Sequence, residues 1–206
     1  MPSTAVGSPE NKRLGRPEGR ESSQTRAQIF AAARSCFVEN GYGGTTLKGI
    51  ATRANITPAA IYRYFASKPV LYAAVFEELV DGLLAVYQQA LVAEGSFKEK
   101  LRMILSAATE LHEREGDATA ILATIPIELK RYPELGELLV DGQYQLNEVM
   151  KALFQQAVDE GEVPKGYSAE DLLLTFIGGG MGIALFQYGS GIGSMQRSTE
   201  LLLALV

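Results

Sequence analysis

The chain has 206 residues, 47% of them hydrophobic, and a net charge of −5 from 19 basic and 24 acidic side chains. One cysteine and one histidine exclude a disulfide framework and a zinc site built from Cys and His ligands. Residues 1–23 lack the apolar segment of a secretory signal, so we expect a cytoplasmic protein with two domains of unequal size.

The first 23 residues are rich in Gly, Pro and Ser with interspersed charge, a composition typical of disorder. Their basic residues, Arg13 and Arg16 among them, form an arm of the kind that can enter the DNA minor groove. A plain solubilising tail is the alternative. If the arm contacts DNA, we expect it to add affinity more than specificity.

Residues 45–68 predict two short helices, a sharp turn between them and the start of a third helix. Apolar residues at i, i+3, i+4 and i+7 give the first helix one buried stripe, and Thr45 or Thr46 is its N-cap. Asn55 stands where that helix must end, because asparagine tolerates the left-handed conformation that a helix stop commonly needs.

The second helix begins at Thr57 as N-cap, with Pro58 at the first helical position, where its missing N–H costs nothing. Two short helices around such a turn are typical of a helix-turn-helix reader, whose second helix enters the major groove. An ordinary helical hairpin in an all-α core is the alternative. We predict DNA contacts from the exposed side of both helices and from the start of the third: Thr46, Lys48, Thr57, Pro58, Ala59, Ala60, Tyr62, Arg63, Tyr64 and Lys68.

Different residue types suit different contacts on this surface. Residues 57–60 are small enough to let the backbone approach base edges. Tyr62, Tyr64 and Lys68 carry donors suited to phosphates, which fix the register without reading the sequence. Lys48 on the first helix is expected to reach a guanine edge or a phosphate.

The charge is divided unevenly along the chain. Residues 1–68 hold ten Lys and Arg against four Asp and Glu, a net of +6, whereas residues 69–206 hold nine against twenty, a net of −11. A basic N-terminal part beside an acidic remainder indicates a nucleic-acid surface on the basic part.

The run from residue 45 to about residue 76 resembles the DNA-binding segment of the TetR family of bacterial transcriptional regulators. The positions that carry the resemblance are Thr46, Ile50-Ala51, Ile56, Tyr62 with Phe65, Lys68 and Leu71, together with Arg26, Ile29, Ala33, Phe37 and Asn40-Gly41-Tyr42 in the preceding helix. The resemblance covers about residues 24–80. Asn55 departs from it, since the family usually has glycine at that position.

The resemblance implies an all-α protein with an N-terminal three-helix helix-turn-helix domain over 24–68. A long helix joins this domain to a larger helical ligand-binding and dimerisation domain over 69–206. The implied function is that of a homodimeric, ligand-responsive regulator, most often a repressor, which binds a near-palindromic double-stranded DNA operator and leaves it when a small, mainly apolar effector binds.

Hydrophobic stripes after the helix pair predict four further helices. They run from Lys68 to about residue 94, over about 97–115, from a cap at Asp117 to a kink or end at Pro126, and over about 134–160. We expect the effector pocket of the larger domain to be lined by Ile104, Ala108, His112, Leu122, Ile125, Tyr144 and Phe176. His112 faces inward, either as a core or rim histidine or as a polar or pH-sensitive ligand contact.

Residues 172–195 contain no charge and are long enough to cross a bilayer. Three consecutive glycines, Gln187, a glycine-rich break and the absence of positive flanks favour instead a buried dimerisation helix. Small residues on one side allow a partner helix to approach closely, so we predict a dimer interface at Leu174, Gly178, Gly182, Leu185 and Gly189. No strand precedes the glycine run, which argues against a phosphate loop.

Catalytic motifs are missing from the sequence: there is no nucleophile elbow, no metal-ligand cluster and no pair of histidines for acid–base work. We therefore expect a non-enzyme without metal, cofactor or membrane partner. Two other functions stay open, namely a membrane-tethered regulator that uses residues 172–195 and a DNA-binding dimer without any effector.

Overall fold

The computed structural model describes the backbone of residues 18–205 and the side chains of residues 22–204. Within these residues the chain forms nine α-helices and no β-strand, which confirms the predicted all-α class. The helices are α1 Glu18–Gly44, α2 Leu47–Arg53, α3 Pro58–Tyr64, α4 Lys68–Val92, α5 Phe97–Arg114, α6 Gly116–Arg131, α7 Glu134–Asp159, α8 Ala169–Ser190 and α9 Met195–Leu205.

Helices α1 to α3 form an N-terminal head, and the predicted caps set its short helices. Thr46 Oγ1 accepts the backbone N–H of Gly49 at 3.1 Å, and Thr57 Oγ1 accepts that of Ala60 at 3.1 Å. Asn55 has a φ of 55°, alone among the non-glycine residues in the described part of the chain. The turn between α2 and α3 is therefore the predicted helix-turn-helix turn.

Helix α1 differs from the prediction at its N-terminal end, whereas its break at Gly41 falls within the Asn40-Gly41-Tyr42 stop that the resemblance implies. It begins at Glu18, so the last six residues of the predicted 1–23 arm are helical. Glutamates at 18 and 21 favour a helix start here, because acidic residues are stabilised at the positive end of the helix dipole. At the other end α1 continues to Gly44 through a break at Gly41, whose φ is 67°. Arg13 and Arg16 lie outside the described residues.

One continuous hydrophobic core joins the head to the body formed by α4–α9. Its buried side chains come from α1 to α4 and from α6 and α7. Ile61 of α3, Leu71 of α4 and Ile121 of α6 all belong to it and are almost completely buried. Burial of a side chain of this size contributes about 1.5–3 kcal/mol, so the head is held against α4 and α6 by substantial apolar contact.

A second core occupies the other end of the body, where α4, α5 and α7 meet. The rings of Phe97 and Phe154 lie 5.3 Å apart in an edge-to-face arrangement, which aromatic pairs favour. Lys100 is buried beside them and donates to Gln156 Oε1 at 3.1 Å and to the Leu91 carbonyl at 3.5 Å. This amine is thus satisfied by hydrogen bonds inside the body.

Helices α4 and α7 lie side by side and run in the same direction. Near the head, a Cβ placed on Gly142 of α7 would be 3.6 Å from Val80 Cγ1 of α4. At the other end, Lys100 bridges Leu91 of α4 and Gln156 of α7. Residues 80–91 of α4 and 142–156 of α7 therefore form one wall of the body.

The prediction that Pro126 kinks or ends its helix is wrong with respect to the end, because α6 runs through it to Arg131. Proline removes one backbone donor within a helix. The helix persists because Ile121 and Ile125, on either side of the lost hydrogen bond, are buried in the core that α6 shares with the head.

The predicted cap at Asp117 is also wrong. No side chain caps α6, and Asp117 lies within its first turn. Its carboxylate instead accepts a hydrogen bond from Ser35 Oγ of α1 at 2.5 Å. An aspartate that caps a helix and an aspartate that accepts a hydrogen bond from another helix can occupy the same sequence position. The local sequence pattern therefore cannot distinguish these two roles.

Substitution of Asn55 tests the turn between α2 and α3. Asn55→Ala should lower the free energy of unfolding by about 1 kcal/mol, because a Cβ without a compensating polar group is unfavourable at positive φ. Asn55→Gly, the matched control, should leave stability within about 0.5 kcal/mol. Urea unfolding followed by circular dichroism measures both, and an equal loss for the two variants would contradict the assigned turn geometry.

Candidate nucleic-acid interface and internal cavity

Helix α3 exposes one side and buries the other. Ile61 and the following Phe65 are buried in the head, whereas Tyr62 keeps 59% of its surface exposed. The other exposed residues here are Thr57, Pro58, Ala59 and Arg63, whereas two residues are partly buried, Ala60 and Tyr64. The structure thus places the residues predicted for DNA contact on the outer side and the N-terminal end of α3.

Helix α2 adds Thr46 and Lys48 to the same exposed region of the head. Lys48 and Arg63 make no ion pair with any residue from 22 to 204, so both charges are free for phosphates or bases. Arg53 differs, because it forms a two-pronged pair with Glu39 at 2.5 and 2.6 Å. The hydrogen bond from Arg53 lowers the pKa of the Glu39 carboxyl, which therefore stays charged and neutralises this arginine.

Lys68 is engaged in the fold as well as being a predicted DNA contact. Its ammonium donates to the Tyr42 carbonyl at 2.7 Å and lies 4.2 Å from the centre of the Tyr42 ring. Burial lowers the pKa of Lys68, and the nearby carboxylates of Glu128 and Glu134 oppose this shift. Lys68 therefore fastens the start of α4 to the end of α1, with two ammonium donors remaining for a phosphate.

The same region contains a cluster of aromatic rings, which we call the junction: Tyr42 of α1, Tyr72 of α4 and Tyr132 at the end of α6. The Tyr42 ring centre lies 5.2 Å from that of Tyr72 and 4.9 Å from that of Tyr132. Burial raises the pKa of Tyr72, so its hydroxyl stays protonated and uncharged. The head thus contacts both α4 and α6 here.

Polar contacts connect α6 to α1 at its other end. Arg34 of α1 forms ion pairs with Glu78 of α4 and with Glu115, which precedes α6, at 2.8 and 2.5 Å. Together with the bond between Ser35 and Asp117, these contacts hold the first turn of α6 against the head. Because both ends of α6 contact α1 or its C-terminal tyrosine, a displacement of α6 would be transmitted to α1.

A cavity of about 390 Å³ lies between the two hydrophobic cores of the body. It falls in the size range of small-molecule sites. Helices α4 to α8 and the first residue of α9 enclose it, and five predicted ligand residues line it: Ile104, Ala108, Leu122, Ile125 and Phe176. No charged side chain among the described residues lines it.

Two predicted pocket residues do not line the cavity. Tyr144 is 65% exposed, because Gln143, Leu146 and Asn147 take the inner side of α7 and leave residue 144 rotated outward. His112 lies behind the cavity wall, with Nδ1 2.7 Å from Oγ1 of Thr119, which does line it. Both corrections follow from helix rotation, which a hydrophobic stripe fixes only approximately.

Polar cavity residues were missed at the sequence level. Four residues of α7 line the cavity at the helical spacing i, i+3, i+4 and i+7, namely Gln143, Leu146, Asn147 and Met150. This spacing is present in the sequence. The same helix carries a more strongly apolar stripe through Leu139 and Leu153, which packs in the two cores. This stronger stripe determined which side of the helix was predicted to face inward.

Helix α8 leaves much of its apolar surface uncovered. The α8 face, which we define by Leu174, Gly178, Gly182, Leu185 and Gly189, includes Leu174 at 76% exposure. Phe186 beside it is 75% exposed. By length and composition α8 is also long and apolar enough to span a membrane. Uncovered apolar side chains of this kind are typical of a surface that contacts another protein or a membrane.

Comparison with known proteins gives concordant matches. The sequence model of the family described as "Bacterial regulatory proteins, tetR family" matches residues 29–75. The HTH-type transcriptional activator FasR of Mycolicibacterium smegmatis is 30% identical over 118 residues, which are 57% of this chain and 51% of FasR. The chain thus spans about half the length of this relative. The HTH-type transcriptional repressor AcnR of Corynebacterium glutamicum is 27% identical, over 77% of this chain and 79% of AcnR.

A solved structure extends the similarity to the whole fold. The transcriptional regulator FadR from Bacillus subtilis, crystallised in complex with stearoyl-CoA, superposes with a TM-score of 0.72. It is 19% identical and the match covers 87% of this chain and 96% of FadR. At this identity the likeness concerns the fold alone.

Replacement of Lys68 separates its two roles. Lys68→Met keeps the length of the side chain but removes the hydrogen bond to Tyr42, and should lower the free energy of unfolding by about 1–2 kcal/mol without DNA. Lys48→Met is the matched control, because Lys48 is exposed and has no such partner; its stability should be unchanged. Thermal unfolding of DNA-free protein is the measurement. Equal stability of both variants would show that the contact of Lys68 with Tyr42 does not stabilise the fold, and would leave Lys68 only its role as a phosphate contact.

Proposed function

Since the chain belongs to the TetR family of bacterial regulatory proteins, we propose that it is a homodimeric repressor released from its operator by a mainly apolar effector. The observation that carries this proposal is the uncharged cavity between α4 and α6, because both helices also pack on the DNA-binding head. A ligand in that cavity would contact the two elements that hold the head in place.

The proposed DNA contact follows the exposure of the head. The N-terminal end of α3 enters the major groove, and residues 57–60 bring the backbone near base edges. Tyr62 and Tyr64 donate to phosphates and Lys68 adds its free donors. Thr46, Lys48 and Arg63 complete the surface, and Arg13 and Arg16 of the N-terminal arm add minor-groove affinity.

The α8 face supports the dimer. Its glycines allow two helices to approach closely, and Leu174 and Phe186 would lose their exposed apolar surface against a second copy. A two-fold dimer presents two α3 helices to successive major grooves about 34 Å apart, which requires a near-palindromic operator.

Release of the operator requires two states of the dimer. In the bound state the heads match the groove spacing; a ligand between α4 and α6 favours a state in which the junction and the Arg34 contacts hold the heads at another spacing. A nearly complete switch needs about 5.5 kcal/mol of differential binding. FasR is an activator and AcnR a repressor, and we propose repression because an occupied operator blocks access to the DNA.

A membrane-tethered regulator is the second candidate, because α8 meets the length and hydropathy of a spanning helix. A dimer covers the same surface without a membrane, so we propose a cytoplasmic protein. Fractionation distinguishes them: recovery without detergent in the soluble fraction excludes tethering, and recovery only with detergent excludes the cytoplasmic dimer.

Substitutions on the head test the DNA contact. After selection of binding sites from random DNA, Tyr62→Phe should weaken binding about fivefold on all selected sequences, since it loses one phosphate hydrogen bond. Lys48→Ala should lower the preference at one or two base pairs about tenfold. Lys98→Ala, an exposed lysine of the body, is the control and should bind normally. Equal losses for Lys48→Ala on every sequence would make Lys48 a phosphate contact.

Charged substitutions on α8 test the dimer. Leu174→Asp and Phe186→Asp should each weaken dimerisation at least about a hundredfold, because each places two unpaired carboxylates in a symmetric apolar interface. Val92→Asp changes a residue that is 82% exposed at the end of α4, and should remain dimeric. Sedimentation velocity measures all three; dimers of unchanged stability for the α8 variants would place the interface elsewhere.

A further inference from the structure

We propose that the effector is an electrically neutral, mainly hydrocarbon molecule with an uncharged oxygen function, bound by a polar wall of Tyr87, Gln143 and Asn147. The uncharged oxygen function is a hydroxyl, ketone or ester. This inference rests on the proposed function, since it names the class of ligand that the cavity admits.

The absence of charge in the cavity lining sets the first limit on the ligand. Among the described residues that line it, no lysine, arginine or histidine is present to pair with an anion, and no carboxylate to pair with a cation. His112, behind the wall, is already bonded to Thr119. A buried carboxylate or ammonium without a partner costs far more than a neutral group of the same size, so a charged ligand head is excluded from the interior.

The polar wall sets the second limit. Tyr87 of α4 is buried and lines the cavity, and its hydroxyl makes no hydrogen bond with any residue from 22 to 204. Burial raises the pKa of Tyr87, so this hydroxyl stays protonated and can donate. The side-chain amides of Gln143 and Asn147 on α7 are likewise without a hydrogen-bond partner in the described part of the chain. When a ligand expels water from the cavity, the buried hydroxyl of Tyr87 needs a polar partner, and the amides of Gln143 and Asn147 offer further donors and acceptors.

The three residues share one side of the cavity, because α4 and α7 run parallel and in contact over residues 80–91 and 142–156. Tyr87 is nearly inaccessible, Gln143 is partly exposed and Asn147 is exposed, so the wall leads from the cavity mouth to its interior. Thr119 on the opposite helix is not part of it. Its hydroxyl already donates to the Gly116 carbonyl at 3.0 Å and contacts His112.

Three ten-carbon probes test the inference: decanoate, methyl decanoate and decan-1-ol, titrated at pH 8 by calorimetry. The two neutral probes should bind at least about tenfold more tightly than decanoate, which is ionised at this pH. Decanoate that binds as tightly as the ester, or a series in which no member binds, would overturn the inference.

Variants of the polar wall supply the second arm. Gln143→Leu combined with Asn147→Leu, and separately Tyr87→Phe, should each weaken binding of methyl decanoate about five- to tenfold. The matched controls are Gln145→Leu, an exposed glutamine of the same helix, and Tyr167→Phe, an exposed tyrosine after α7; both should bind normally. Unchanged affinity of all wall variants, with their folding verified by thermal unfolding, would overturn the assignment.

Operator binding distinguishes this inference from the proposed function. If methyl decanoate binds through the polar wall and the operator is not released, the ligand class stands and the effector role fails. If decanoate releases the operator more effectively than the neutral probes, the effector role stands and the ligand class fails.

Discussion

The contact of Tyr42 with Tyr72, Tyr132 and Lys68 is the interaction on which the rest of the structure depends. Tyr42 lies at the end of α1, and its neighbours begin α4 and end α6. Edge-to-face aromatic pairs and a cation over a ring each add about 0.5–1.5 kcal/mol beyond the area they bury. The DNA-binding head is thereby attached to α4 and α6, two of the helices that line the cavity.

This attachment gives the internal cavity its importance for the head. The cavity separates two packed cores, one shared with the head and one formed by α4, α5 and α7. Closely packed interiors respond to a ligand by moving whole elements between discrete arrangements. Under the proposed mechanism, a ligand that separates α4 from α6 changes the position of α1, whereas one that fills the cavity without strain leaves α1 in place. The differential affinity between these states sets the strength of regulation.

Local rules in the sequence predicted the head well and the cavity only in part. The helix caps and the turn act through hydrogen bonds and dihedral angles within four residues, so the sequence alone predicts their roles. The residues concerned are Thr46, Thr57, Pro58 and Asn55. Pro126, Asp117 and Lys68 depend on packing or partners from distant helices, which no local pattern contains. Tyr144 was misplaced because one residue rotates the side chain by about 100°, which carries it from the cavity to solvent.

The separation of the two heads with and without ligand tests the central claim most directly. Spin labels at Ala66→Cys, an exposed position beside α3, on a Cys36→Ala background report the distance between the two heads of a dimer. Double electron–electron resonance should show one distance distribution for the free dimer and a clearly shifted one with saturating methyl decanoate. Identical distributions in a dimer that has bound the ligand would contradict coupling between the cavity and the heads.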